Sequence, residues 1–394
     1  MDGDPEKQVV VFHNVVSPYR LPLFSSLAEK TDLKVLFAKR NEQGRKWDTS
    51  IESHNTEFKY EFLPGFQIGP LTVNYSLPVK LLQEKSDVYI VSDTRQMLLS
   101  MLIISFYSLV SETDIYYWTG WLDSDYSSET HQEHILMKLF VRIYRKFKDY
   151  IQTFSYIFAD GFIAYSPESV EYLKARGADT QNTFVGGQVM PIETLPDSYE
   201  SDKNNDDGLT VLYLGYLNNR KGVEYLLNAW GRLKRNNDSP AIAQATLMIA
   251  GSGPIEESLH VQAENIPDVS FLGYVSGNEK ARCYKQADLF VLPTKHDPWG
   301  LVVNEAMHFG LPIIVTEAAG SKHLIQKENN GIIIEPRNSS DLHQAIQQLL
   351  LDEKEREKLA SQSNNNSSAS DVETGIQPFM KAIKGDNPSG DLLM

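Results

Sequence analysis

A single cysteine, Cys283, stands in 394 residues. With no second thiol, no disulfide can close within the chain and no zinc site can be built on cysteine pairs. One cysteine also fits a reducing compartment. Basic residues are in deficit, with 37 Lys and Arg against 52 Asp and Glu and a formal net charge of −15. A phosphate backbone would be repelled, so no nucleic-acid partner is expected, although a local basic patch stays open. Long apolar runs are missing too. The longest, MLLSMLIISFYSLV at residues 97–110, is too short to cross a bilayer as a helix and reads as a buried helix or a membrane-dipping one. The opening, MDGDPEKQVVVFHNVVSPYR, lacks the basic start and long apolar core of a secretory signal. The expectation is a cytoplasmic protein, soluble or peripheral on the inner face of a membrane.

What is present is material for large cores. Hydrophobic residues make up 41% of the chain, and its length suits two domains. Short β-branched runs alternate with helical patterns. QVVVF, LKVLFA, SDVYIVSD, TDIYYW and DGFIAYS are predicted strands in the first half. Residues 191–208, PIETLPDSYESDKNNDDG, have no apolar period and many turn formers, and read as a linker. The alternation then restarts with LTVLYLG, ATLMIAG, VSFLGY, ADLFVLP, LPIIVT and GIIIEP. Alternating strands and helices predict parallel sheets with both faces covered. The fold class is therefore α/β, as two Rossmann-like, doubly wound domains facing a cleft. The boundaries are 1–190, linker 191–208, 209–371, and a C-terminal helix or tail at 372–394 that returns to the first domain. SQSNNNSSASD, residues 361–371, reads as a low-complexity loop. Chemistry is expected in the loops after the strands, because open parallel sheets bind ligands there.

In the second domain, LTVLYLGYLNNRKGVEYLLNAW is strand, loop and helix, with Gly215 and Tyr216 at the strand end. Arg220 and Lys221 precede the helix start at Gly222. Two cations beside a positive helix terminus make either a diphosphate clamp or a solvated basic turn. In LMIAGSGPIEESL, Gly251 and Gly253 permit a tight turn and close ligand approach, although one such pair is a weak signal. Tyr274 and Val275, after VSFLG, are candidates for a wall against a nucleotide base, or an ordinary strand end. KHDPWGLVVNEAMHFGLPIIVT puts Asp297 before a greasy helix and Glu305 about one turn inside it. The N–H groups of Trp299, Gly300, Leu301 and Val302 are that helix's unpaired donors. Phosphate on the N–H groups and hydroxyls on the two acids is the chemical sense of the pattern. The bland alternative is two solvated acids at the ends of a buried helix.

This domain resembles the donor domain of GT-B fold glycosyltransferases, specifically glycosyltransferase family 4. The family pattern E-P-F-G-L-x-x-x-E-A-M-A-x-G-x-P-V-I stands here as D-P-W-G-L-V-V-N-E-A-M-H-F-G-L-P-I-I, with G-x-L-x-x-x-K-G, G-x-G-P and F-L-G-Y-V-S in the family's order. The resemblance implies that Asp297 contacts sugar hydroxyls, Glu305 the nucleotide ribose and Lys221 the donor diphosphate. Two departures accompany it. The first acid is Asp rather than Glu, and Tyr216 stands where the family has an arginine, leaving Arg220 to supply that charge.

The first domain resembles the family more loosely. HNVVSPYRLPLFSSL occupies the first loop without the usual glycine pair, and P-Y-R-x-P-x-F is similar to a subgroup acting in polysaccharide or glycolipid assembly. His13, Tyr19 and Arg20 are candidate acceptor contacts there; a lone histidine is more often structural. The family's histidine near the donor sugar has no clear counterpart in YYWTGWLDSDYSSETHQEH, where Trp118 and Trp121 are the acceptor-stacking candidates or core residues. His131 and His134 lie further on. HILMKLFVRIYRKFKDYIQTF clusters Lys138, Arg142, Arg145, Lys146 and Lys148 among helically spaced apolar residues. Such a helix suits an anionic membrane surface or an internal amphipathic position.

The resemblance implies a retaining transferase that moves a sugar from a nucleotide sugar, a UDP-sugar by default, to a glycan or lipid-linked acceptor. It implies no obligatory cofactor and no metal. The rival reading is an inactive donor-binding partner subunit of another transferase.

Overall fold

The computed structural model describes residues 7–40, 51, 56–122, 135–190, 208–235, 239–365, 372–386 and 388. The chain divides into two compact units, Met1–Val189 with Val372–Met394, and Met190–Asp371. The predicted linker at 191–208 lies outside the described residues except for its last, as do His131 and His134.

The first unit is built on strands β1 (Gln8–Val15), β2 (Asp32–Lys39) and β3 (Lys59–Phe62), a small hairpin of β4 (Phe66–Ile68) and β5 (Leu71–Val73), then β6 (Val88–Asp93), β7 (Asp114–Thr119), β8 (Gly161–Ala164) and β9 (Thr183–Val185). Seven of these form one sheet in the order β3-β2-β1-β6-β7-β8-β9, and every pairing in it is parallel. Helices α1 (Leu21–Ala28), α2 (Leu77–Gln83), α3 (Leu98–Ser108), α4 (Ile135–Ile157) and α5 (Pro167–Lys174) alternate with the strands. The two-residue period of a strand sends Val9 and Val11 of β1 into one core and Val10 and Phe12 into the other, so both sheet faces are covered. The long apolar run becomes α3, whose inner face is buried while Phe106 stays exposed. Among the described residues no helix is long and apolar enough to cross a membrane.

The second unit contains α6 (Val223–Arg235), α7 (Pro240–Gln244), α8 (Glu256–Ala263), α9 (Gly277–Gln286), α10 (Leu301–His308), α11 (Lys322–Glu328), α12 (Ser339–Leu351) and α13 (Glu353–Asn365). They surround β10 (Thr210–Leu214), β11 (Thr246–Ala250), β12 (Val269–Gly273), β13 (Leu289–Leu292), β14 (Ile313–Thr316) and β15 (Gly331–Ile334). The sheet order is β12-β11-β10-β13-β14-β15, again all parallel. The expected loop at 361–371 needs correction. Residues 361–365 continue α13, anchored by the buried Ser363 hydroxyl, which donates to the Leu311 carbonyl at 2.8 Å. Residues 366–371 lie outside the described ones.

The chain closes with α14 (Val372–Lys384), which packs on α1, β8 and β9 of the first unit. Its Phe379 ring stands edge-on to Trp118 at 5.0 Å. Two glycines make room for this helix: a Cβ on Gly187 would lie 2.7 Å from Phe379, and one on Gly375 would lie 2.3 Å from Val189.

Candidate active site

In each of the two parallel sheets the strand order reverses once, and a crevice opens at such a point beyond the strands' carboxyl ends. In the second unit the reversal lies between β10 and β13. Backbone contact sets the loops there. A Cβ on Gly251 would lie 1.8 Å from the Gly215 carbonyl oxygen, and one on Gly253 would lie 2.1 Å from that of Leu217. The weak G-x-G signal is thus a steric requirement between the loops after β10 and β11. Gly222 takes φ +68°, and a Cβ there would meet the Pro293 carbonyl at 2.1 Å. That close approach brings the loop of Arg220 and Lys221 against the loop after β13. The Lys295 N–H and the Thr294 hydroxyl both donate to the Arg220 carbonyl, at 2.8 and 3.0 Å.

These contacts deliver the charges. The Lys221 ammonium donates to Asp297 Oδ2 in a short hydrogen bond. Arg220 lies 3.5 Å from Asp297 Oδ1 and donates to the His296 carbonyl at 3.0 Å. Burial alone would raise the Asp297 pKa, but the Lys221 and Arg220 charges outweigh it and hold the carboxyl well below the usual range. The Asp297 backbone is clamped as well, donating to Ala318 at 3.0 Å and accepting from Gly320 at 2.9 Å. Gly300, at φ +92°, turns the chain into α10. The N–H groups of Gly300, Leu301 and Val302 make no hydrogen bond among the described residues, whereas that of Trp299 reaches Asp297 Oδ1 at 3.4 Å. The Trp299 indole is buried and donates to Asn304 at 2.7 Å.

Glu305 has partners that sequence reasoning missed. Lys280 donates to Oε1 at 2.5 Å and the Tyr284 hydroxyl to Oε2 at 2.6 Å. Burial, then the Glu305 charge, pushes the Tyr284 hydroxyl well up. The signal was present: Lys280 and Tyr284 are four apart in GNEKARCYKQ, on one face of α9. Tyr216 offers its carbonyl to the Tyr213 hydroxyl at 3.3 Å. Tyr274, just past the edge strand β12, is exposed, and Val275 is half-buried.

In the first unit the reversal lies between β1 and β6. His13 bonds through Nδ1 to the Ser92 hydroxyl, and burial followed by the Arg20 charge lowers its pKa to about 3. Arg20 is 3% exposed and not a surface cation. It donates to the Gly187 carbonyl at 3.1 Å and to Tyr165 and Gln188 at 3.0 Å each, and its guanidinium lies 5.2 Å from the half-buried Tyr19 ring. The expected sugar stacking on the tryptophans needs correction. Trp118 is core, with Arg20 over its ring at 4.3 Å. Trp121 is stacked on Tyr172, has Lys148 at 4.3 Å from its ring, and donates to Asp93 at 3.1 Å.

The basic cluster of α4 is split. Arg142 and Lys146 are exposed, Arg145 is half-buried, and the Lys138 side chain lies outside the described ones. Lys148 is a correction: it is fully buried, bonded to Tyr172 at 2.8 Å and paired with Asp149 at 3.2 Å. A helical turn spans 3.6 residues, so Lys148, Gln152 and Tyr156 share the inner face and cannot meet a surface.

Parts of this chain are similar to known proteins. Residues 197–366 match the family model described as "Glycosyl transferases group 1". An uncharacterized glycosyltransferase of Methanocaldococcus jannaschii is 36% identical over 151 residues, 37% of this chain and 37% of that protein. The match thus spans well under half of that relative. Sucrose-phosphate synthase from Thermosynechococcus elongatus shares the fold with a TM-score of 0.72 at 17% identity, over 96% of this chain and 99% of that one. The Anabaena protein HepE, solved in complex with UDP, gives a TM-score of 0.70 at 16% identity over 96% and 100%. Two all-parallel sheets and a fold shared over nearly the whole chain give this protein the GT-B fold, with residues 197–366 similar to the glycosyl transferases group 1.

Proposed function

We propose that this chain transfers a sugar from a nucleoside-diphosphate sugar, by default UDP-linked, to an acceptor hydroxyl, with retention at the anomeric carbon. The observation that carries the reading is the meeting of Lys221, Arg220, Asp297 and the unbonded N–H groups of residues 300–302 at one switch point. In this reading the diphosphate takes the two cations and the helix start, where negative charge develops as the bond between the anomeric carbon and the leaving oxygen breaks. The acceptor oxygen bonds to that carbon, and its proton passes to the departing diphosphate. Asp297 orients Lys221 and meets sugar hydroxyls, while Glu305, held by Lys280 and Tyr284, takes the ribose. Support for a uridine donor comes from HepE, which was solved with UDP.

The acceptor belongs, in this reading, to polysaccharide, glycolipid or lipid-linked glycan assembly at an anionic membrane surface. What supports the membrane is the outer face of α4. Ile143, Phe147, Tyr150 and Ile157 are exposed there beside Arg142 and Lys146, and Phe106 of α3 stands 5.5 Å from Phe154. Apolar residues flanked by cations suit a bilayer interface.

The test is nucleotide release from a panel of UDP-, GDP- and ADP-sugars, with and without a lipid-linked acceptor extract. Release from one donor, lost in Lys221→Ala and Asp297→Ala, is expected. Donor binding without turnover under every acceptor would favour an inactive partner subunit. No nucleotide binding at all would remove the donor reading of the second unit.

A further inference from the structure

We propose that the first unit carries a subsite for an anionic group, a phosphate or a carboxylate, centred on Arg20 at the switch point between β1 and β6. Only the assignment of that anion to the acceptor substrate rests on the transferase reading.

The other buried cations supply the comparison. Lys148 has Asp149 at 3.2 Å, Lys221 has Asp297, and Lys234, whose side chain is 3% exposed, has Asp268 at 2.7 Å. Arg20 is as buried as these, yet no carboxylate pairs with it among the described residues. Its three acceptors, the Gly187 carbonyl, the Tyr165 hydroxyl and the Gln188 amide oxygen, are all neutral. A buried charge without a counter-charge is costly, and removing it from water is offset chiefly by an opposite charge.

The polar atoms left over around Arg20 have one character. Arg20 Nε, Trp118 Nε1 and Gln188 Nε2 are buried without a hydrogen-bond partner. All three are N–H donors. A surplus of donors and positive charge matches a group that only accepts, which an ionised phosphate or carboxylate does. Beside them, burial and the Arg20 charge keep His13 neutral, as expected where the guanidinium field is not cancelled. The place is also the one where an open parallel sheet binds ligands. Burial of these atoms means that the anion enters by displacing side chains around Arg20, and Tyr19, half-buried and 5.2 Å from it, is the first of them.

The experiment is calorimetric titration of the full chain with inorganic phosphate, glucuronate and, as the neutral control, methyl glucoside. Wild type, Lys221→Ala, Arg20→Met and Gln188→Glu are compared. With UDP present throughout these titrations to fill the donor clamp, both anions, or one of them, should bind wild type and Lys221→Ala alike, and methyl glucoside should not. Which anion binds separates a phosphate acceptor from a uronic-acid acceptor. Arg20→Met should weaken binding at least tenfold. Because Arg20→Met also removes three hydrogen bonds, Gln188→Glu is the deciding variant. It puts a carboxylate against the guanidinium, so it should abolish anion binding while raising the melting temperature. Anion binding that disappears with Lys221 but survives Gln188→Glu would overturn the proposal, as would no anion binding by wild type. A UDP titration of the same samples reads the donor site separately, so either site can fail without the other.

Discussion

The two switch points hold their charges in opposite ways. In the second unit the buried charges of the crevice are paired among the described residues: Lys221 with Asp297, and Glu305 with the half-buried Lys280. In the first unit the central cation, Arg20, is packed among aromatic rings and neutral oxygens. A paired site is stable while empty and must exchange partners when a ligand arrives. An unpaired site is strained while empty and is completed by its ligand. The same topology thus holds a carboxylate-paired cation on one sheet and, among the described residues, a cation with only neutral partners on the other.

The sharpest way to break this comparison is to remove one half of the second unit's pair. Lys221→Ala should lower the rate of nucleotide release by about 10²–10³, the scale for losing one charge-stabilising group. Asp297→Ala should fall comparably, because Lys221 loses its anchor. If either variant retains wild-type turnover, the paired carboxylate and cation are not the reacting machinery.

Acidity should separate the units next. The His13 pKa lies near 3, against 6.5 for the free side chain. Below pH 6.5 the unfolded chain binds a proton that the folded first unit refuses. Stability should therefore fall between pH 6.5 and 3, by up to about 1.4 kcal/mol per pH unit. Calorimetric melting at pH 7 and pH 5 checks this, and His13→Gln should flatten the slope. The Asp297 pKa is also shifted downward, but by the Lys221 and Arg220 charges, which favour its ionised form. Its depressed pKa contributes stability present above about pH 3.9, and that contribution is lost only as the pH falls further.

Smaller effects sharpen the picture. Glu305→Gln should raise the KM for the donor about tenfold with little change in kcat, as expected for a contact made equally in ground and transition states. A fall in kcat alone would place Glu305 in the chemistry. The smallest effect on the fold belongs to the outer face of α4. Phe147→Glu should shift stability by no more than about 0.5 kcal/mol, yet reduce sedimentation with anionic vesicles. Unchanged sedimentation would remove the membrane reading.

Much of this was legible because it is local. Strand and helix periods, the greasy helix entered through Pro-Trp-Gly, and the pair of acids at 297 and 305 are patterns within a few residues. The Rossmann-like alternation follows from period two giving way to period 3.6. Other features were not legible because they join distant segments. Lys280 meets Glu305 across 25 residues, and Lys221 meets Asp297 across 76. The basic residues of α4 looked like one cluster, but helical geometry turned Lys148 inward to Tyr172 and left Lys146 outside.

The sequence by itself determined two parallel α/β units, the loops at the carboxyl ends of their strands, and the residue types available there. Tertiary structure alone decided which of those charges find partners. Pairing depends on the third dimension: Gly222 lets its backbone approach Pro293 so that Lys221 reaches Asp297. The neighbours of Arg20 come from β7, the residue after β8 and the loop after β9, between 98 and 168 residues away, and among the described residues they bring rings and amides but no carboxylate.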